Sequence, residues 1–306
     1  MKLTVVIPAL NEQQDLPRTL DSLKFADEIL VIDSGSTDQT VSLAKKAGAK
    51  VFSYRPMNYV EPARNFALSK ATGRWILLLD PDEYLSKTLK SELIKISHRA
   101  NVDYVRIPRK NIILGKWFRH SNWWPDYIIR FFRRGYVDWK KEIHSQPEVK
   151  GNAHTLLDSE KLAIRHNNYT SLSQFVTRAL RYSRIQAEEL HKSEYTLKTS
   201  DFILRPVQEF NSRFFAAQGF KDGWHGLILS VLQAFAVALI YIQLWEIEGS
   251  EDKVLAKESF VSASQEATFE YSHWFTKYFQ KEYKPNIFKL IFVKLRLAFD
   301  RLTKNF

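Results

Sequence analysis

An α/β domain built on a parallel sheet, followed by a helical region, is the fold that three features of the chain predict. Short apolar, β-rich runs alternate with amphipathic stretches over the first hundred residues. Polar clusters directly follow three of those runs. Beyond residue 169 the apolar spacing becomes helical throughout.

The elements follow in order. Leu3–Ile7 is a continuous β-rich run, and Asp15–Lys24 reads as a helix. Glu28–Ile32 is a second strand, with a helix over Thr37–Ala47 that Gly48 stops. Lys50–Ser53 and Trp75–Leu79 are further strands, separated by a helix from Glu61 to Ala71. Strands without a polar face need helices on both sides, hence the parallel sheet. Tyr104–Pro108 and Tyr127–Arg133 read as strands, joined by a loop rich in tryptophan (Trp117, Trp123, Trp124), and Leu162–His166 as a short one. Ser171–His191 opens the helical part with an amphipathic helix. The expected division is residues 1–168 and residues 169–306, with no internal repeat or low-complexity linker between them.

With 306 residues, 45% of them hydrophobic, the chain can bury a large core. No cysteine is present, which excludes disulfides, thiolate metal sites and cysteine nucleophiles. A net charge of +11 implies an anionic partner: nucleic acid, anionic lipid or a phosphorylated substrate. The opening MKLTVVIPALNE lacks the features of a secretory signal, so an intracellular protein is expected.

Sheets of this kind bind ligands at the carboxyl ends of their strands, which directs attention to Pro8–Glu12, Asp33–Asp38 and Asp80–Glu83. Asp80 and Asp82 end a buried strand two residues apart, a spacing that lets both carboxylates approach one Mg²⁺ or Mn²⁺. Such an ion bridges a diphosphate and offsets charge on a leaving nucleotide. The plainer alternative is a helix start, with Asp82 and Glu83 favouring the dipole. Asp33 is an acceptor suited to the N–H edge of a nucleobase, and Asn11 and Glu12 to a ribose or base; capping of the following helices is the alternative for each. Asp126 and the segment Glu142-Ile143-His144 are the remaining candidates for acid–base work. Arg64, Arg130 and Arg133 suit phosphate oxygens.

Together these pieces resemble the family 2 glycosyltransferases of GT-A fold, through VVIPALNE (5–12), IDSGSTDQT (32–40), ARNFAL (63–68) and LLLDPDEYL (77–85), in family order and spacing. The resemblance implies a GT-A, Rossmann-like nucleotide-sugar domain, with Pro8, Ala9, Asn11, Glu12, Asp33, Arg64 and Asp80 in the nucleotide pocket. It implies Asp82 as the main metal ligand, joined by Asp80 and His144. Later segments are similar to a narrower subgroup, the bacterial lipopolysaccharide-core β-1,4-glucosyltransferases: WWPDYIIRFFRRG (123–135), EIHS (142–145), RYSRIQA (181–187) and RFFAAQGFKDGWHG (213–226). That likeness implies inverting transfer of a hexose, glucose from UDP-glucose, to a lipid-linked acceptor such as a lipopolysaccharide core. Arg130, Arg133 and Trp124 are then the expected phosphate and acceptor contacts. The subgroup commonly has Glu directly after His144; here Ser145 stands there, so Asp126 and Glu142 compete as the base.

Two C-terminal stretches bear on membranes. Gly226–Leu244 is the most apolar, but with Ser230, Gln233 and Gln243 inside it the expectation is a buried or lipid-dipping helix rather than a span. In Ile287–Lys304 the cationic residues, including Lys289, Lys294 and Arg296, fall within a sector of about 160° at helical spacing. Phe288, Phe292 and Phe299 lie in the remaining apolar arc, the pattern of a helix in an anionic membrane interface. A peripheral or monotopic enzyme on the cytoplasmic face of the inner membrane is therefore expected, with a homo-oligomer left open. The competing readings are a polyprenyl-phosphate hexose synthase, a non-catalytic membrane scaffold, and a nucleic-acid-binding protein. No helix-turn-helix or zinc-finger pattern supports the last, and no nucleic-acid partner is expected.

Overall fold

The computed structural model describes residues 2–54, 61–138, 147–250 and 254–279, and within the helix beginning at Glu61 the side chains from Arg64 onward. Glu142, His144 and the helix expected over residues 287–304, with Phe288, Lys289, Phe292, Lys294, Arg296 and Phe299, lie outside the described residues.

The first four runs form a parallel sheet. Strands β1 (Leu3–Ala9), β2 (Glu28–Asp33) and β3 (Lys50–Ser53) and, later, β4 (Trp75–Leu78) lie in the order β3-β2-β1-β4. Helices α1 (Leu16–Asp21), α2 (Thr40–Lys46) and α3 (Glu61–Lys70) connect them. Every residue of β1 is buried. Leu3, Val5 and Ile7 enter one apolar core and Val6 the other, because alternate side chains leave opposite faces of a strand.

Residues 83–97, which the sequence does not assign, form β5 (Glu83–Leu85) and α4 (Lys87–Ser97), the helix capped by Ser86 Oγ accepting from Leu89 N at 3.0 Å. Asp82 and Glu83 thus stand at the start of a strand, not of a helix. Strand β6 (Tyr104–Ile113) runs five residues past its expected end. It pairs with the short β7 (Lys116–Trp117) and antiparallel with β8 (Asp126–Arg133), and β8 continues the sheet against β4. Between Phe131 and Ile129 the β8 register slips by one, leaving Arg130 as the extra residue of a bulge. Two short strands, β9 (Val137–Asp138) and β10 (Glu148–Val149), pair with each other; β11 (Ala153–Thr155) and β12 (Ile164–Tyr169) join β6, and β12 carries β5 as the outer strand.

Glu28 ties the parallel strands together. Its carboxylate accepts from Thr4 Oγ1 (2.6 Å), Lys50 Nζ (2.9 Å), Thr72 N (3.0 Å) and Thr72 Oγ1 (2.8 Å). Burial works to raise its pKa, but the bonds from Thr4, Lys50 and Thr72 outweigh it and lower the value from 4.5 to about 2. A depressed carboxylate contributes stability above its unfolded pKa and loses it as the pH falls towards the folded one. Stability should therefore decline between pH 4.5 and about 2, with Glu28 contributing about 3 kcal/mol of the change. In urea titrations Glu28→Gln is expected to flatten this acid limb and to lower stability at neutral pH. An acid limb identical to that of the unaltered protein would refute the assignment.

Tertiary contacts divide the chain into Met1–Val176 and Thr177–Phe306. Helix α5 (Leu172–Lys192) crosses the division, and the second unit contains α6 (Thr199–Asn211), α7 (Trp224–Ile247) and α8 (Lys257–Phe279). Many described aromatic side chains of this unit are exposed, among them Phe202, Trp224, Phe235, Trp245 and Phe269. Phe215 is buried, with the rings of Phe214, Tyr271 and Phe279 at 5.1, 5.7 and 5.8 Å. Arg213 donates to Glu209 at 2.8 Å, one turn earlier in the helical stretch. Helix α7 is long and apolar enough to cross a membrane, and most of its apolar stretch is not buried. A fully buried helix is excluded.

Candidate active site

The carboxyl ends of β1, β2 and β4 lie along one edge of the sheet, and the loops beyond β1 and β2 are bonded to each other. Asn11 adopts a left-handed conformation, with φ 56°. Its N–H donates to Ser36 Oγ (2.9 Å), and its Oδ1 accepts from Thr37 N (2.8 Å). Glu12 N donates to Thr40 Oγ1 at 2.7 Å, and Gln13 N to Asp38 at 3.1 Å. The buried Asp33 carboxylate accepts from Gly35 N (3.2 Å) and Ser36 N (3.1 Å) within its own turn. Pro8 and Ala9 sit opposite Ile32 and Asp33 in the sheet, and Ser34 N donates to Ala9 O at 2.9 Å. These expected pocket residues are brought together, with Asn11 and Asp33 shaping the loops through their side chains.

The Asp80-Pro81-Asp82-Glu83 turn closes on itself: Asp80 N donates to Glu83 Oε2 and Glu83 N to Asp80 O, both at 3.0 Å. Arg130, aimed by its bulge, donates to Asp80 Oδ2 at 2.5 Å, and Arg64 lies 3.6 Å from Asp80 Oδ1. Burial favours the neutral acid at Asp80, but Arg130, then Arg64, His166 and Arg109, overcome this and hold the carboxyl well below the usual range. The turn is thus anionic at its core yet bracketed by cations.

Asp126 belongs to the same constellation. Arg109, opposite it in register, donates from Nε (2.7 Å) and Nη2 (2.6 Å) to Asp126 Oδ2, and its Nη1 lies 3.4 Å from the fully buried Glu83. Burial opposes the charge of Arg109, and Glu83 and Asp126 more than offset it, raising its pKa. Asn111 Nδ2 also donates to Asp126 Oδ2, at 3.0 Å. Asp126 Oδ1 receives no hydrogen bond from the described residues, and the side chain is 25% exposed. Oδ2 is therefore anchored by Arg109 and Asn111, and Oδ1 is left without a donor from the described residues.

Arg109, Asn111 and His166 were not foreseen from the sequence. All three lie on strands beyond or at the edge of the expected boundaries, and only the pairing of β6 with β8 and β12 reveals their partners. A charged residue two positions from an asparagine inside an apolar strand was the available signal. Trp124 is half-buried, its ring set edge-on to Trp117 at 5.1 Å. Arg133 does not join the constellation: it donates to Arg99 O and Ala100 O, both at 2.9 Å, and faces Asp103. Three residues past Arg130, across an alternating strand, it lies on another part of the sheet.

Among the described residues no cluster of three potential ligands forms around a point. The donors present still suit a hard divalent ion. Asp82, its side chain 10% exposed, lies with Oδ2 3.5 Å from His166 Nε2, and Mg²⁺-type ions take one or two carboxylates and fill the remaining positions with phosphate oxygens and water.

Residues 4–150 match the model of Glycosyl transferase family 2. An uncharacterized glycosyltransferase of Rickettsia typhi is 28% identical over 271 residues, covering 85% of this chain and 92% of that protein. The lipopolysaccharide core biosynthesis glycosyltransferase LpsC of Rhizobium meliloti is 25% identical over 254 residues, 80% of this chain and 93% of that one. Among solved structures, Staphylococcus aureus TarS 1–349 aligns over 84% of this chain and 94% of its own, at 18% identity and a TM-score of 0.41. Three of the four ordered motifs end at one sheet edge, the fourth lies on α3, and the family model spans them all: residues 4–150 form a Glycosyl transferase family 2 domain, and the chain is a glycosyltransferase.

Proposed function

We propose that this glycosyltransferase moves a hexose, glucose from UDP-glucose, with inversion onto a lipid-linked glycan acceptor such as a lipopolysaccharide core. The observation that carries the reading is one largely buried network, in which Arg64, Arg130, Glu83 and Arg109 link Asp80 to Asp126, and His166 and Asn111 link Asp82 to Asp126. The likeness to LpsC supports the acceptor class. In this reading the acceptor oxygen bonds to the anomeric carbon as the bond from that carbon to the diphosphate oxygen breaks. The electron pair of the broken bond leaves with the nucleotide. The acceptor proton passes to Asp126 Oδ1, while Arg109 and Asn111 hold Oδ2. Asp82, with Asp80 and His144 as the further candidates, would hold Mg²⁺ or Mn²⁺, which when bound offsets the charge growing on the leaving diphosphate. Arg64 and Arg130 add positive charge there without leaving their carboxylate.

Association with the cytoplasmic face of the inner membrane is part of the proposal, supported by the length and exposure of α7. The full chain is expected to float with anionic liposomes; sedimentation away from them would remove this part.

The direct test is a thermal screen of nucleotide sugars with and without Mn²⁺. UDP-glucose should raise the melting temperature only when Mn²⁺ is present, by the equivalent of about 2.7 kcal/mol at a hundred times its Kd. Failure of every nucleotide sugar to stabilise the protein would overturn the donor class, and stabilisation indifferent to Mn²⁺ would overturn the metal requirement.

A further inference from the structure

Asn111 lies in β6 with no exposed surface. Its Nδ2 donates to Trp123 O at 3.1 Å and to Asp126 Oδ2 at 3.0 Å. A carbonyl and a carboxylate both act as acceptors, so the amide has only one orientation that satisfies them. Its Oδ1 must then face His166, its partner in register on β12, whose Nδ1 is 2.7 Å away and carries the hydrogen. The same ring presents Nε2 at 3.5 Å from Asp82 Oδ2, and Asn167 N donates to Asp82 O at 3.1 Å. An unbroken path of three side-chain contacts therefore joins Asp126 to Asp82, across strands that are far apart in sequence.

We propose that Asn111 is a positioning residue which, through His166, sets the place of the base Asp126 relative to the Asp82 carboxylate. The inference rests on the reading of Asp126 as the base. A base and a leaving-group site on opposite faces of one sugar carbon must keep a fixed separation, and misplacement by an ångström is costly. Register pairs supply that separation here: Arg109 with Asp126, and Asn111 with His166. Of the charged and titratable groups around Asp126, Arg109 on β6 pairs with it directly, Glu83 on β5 is linked to it through Arg109, and His166 on β12 through Asn111. Asn111 adds a neutral donor among them.

The test is a mutant cycle, read as UDP release from UDP-glucose with Mn²⁺, or from whichever nucleotide sugar the thermal screen returns. Asn111→Ala should lower kcat by about 10–100-fold, as losses of orienting partners do, with the Kd for UDP unchanged. Its acid limb in the kcat–pH profile should move to higher pH, because a donor that favours the ionised carboxylate is gone. In an Asp126→Asn background the same substitution should cost less than about threefold, since it acts through a group already removed. A full additional loss in that background identifies a general structural role and overturns the proposal, as does an unchanged kcat with an unchanged pH profile. Should Asn111→Ala fail to fold, Asn111→Asp keeps the shape and the acceptor towards His166 while replacing the donor. The same non-additive loss is expected there, with a larger upward shift of the acid limb, and wild-type behaviour overturns the proposal. If Asp126→Asn alone turns over at the wild-type rate, the reading of Asp126 has failed, and the inference with it.

Discussion

Asp82→Asn is expected to reduce transfer by at least about 10³-fold and to remove the Mn²⁺ dependence of donor binding, with the fold intact. Asp82 closes the turn beyond β4, where Asp80 already has Arg130 on one oxygen and Arg64 near the other. The charge of Asp80 is thereby matched within the protein, and on the proposed reading Asp82 would be the carboxylate that holds a hard cation. An amide in its place keeps the shape but supplies a neutral, weaker oxygen ligand. Circular dichroism and melting temperature should change little, because the turn is secured by Asp80 N to Glu83 and by Glu83 N to Asp80 O. Full transfer in the folded variant, with an unaltered response to Mn²⁺, would remove Asp82 from the site. The comparison with Asp80→Asn is informative. That change leaves Arg130, which is buried, without its closest carboxylate, so it should lower stability as well as activity.

Asp126→Asn is expected to lower kcat by about 10²–10⁴-fold while leaving the affinity for UDP and Mn²⁺ intact. The amide cannot accept the acceptor proton, yet with its oxygen in the place of Oδ2 it still accepts from Arg109 and Asn111, so the network is kept. Glu142→Gln is the competing variant. A loss confined to Asp126→Asn identifies Asp126 as the base, and a loss confined to Glu142→Gln transfers that role to Glu142. If neither lowers turnover by tenfold, a hydroxyl acceptor activated by either residue is wrong, and an acceptor that needs little base assistance, such as a phosphate, gains.

The parallel half of the fold was legible in the sequence because its signals are local. Apolar runs without a polar face, such as Leu3–Ile7 and Trp75–Leu79, must be covered on both sides, and β1 proves buried along its whole length. The polar clusters after those runs reach the sheet edge because strand direction alone puts them there. Beyond residue 82 local signals weaken. The polar run Arg109–Asn111 looks like the end of a strand, yet β6 continues through it because β8 and β12 pair with its two edges.

Amino-acid order by itself determined the family, the sheet edge and the Asp80–Asp82 turn, since each depends on neighbours within a few residues. Tertiary structure alone decided which charges meet. Arg130 reaches Asp80 because a bulge turns it, and Arg133, three residues on, is held by Arg99 O and Ala100 O. Arg109, Asn111 and His166 acquired roles only when β6 found β8 and β12, bringing side chains from positions 82, 111, 126 and 166 within hydrogen-bonding or ion-pair range. A buried charge is tolerated only when a partner arrives from elsewhere in the chain, and sequence spacing carries no record of that partner.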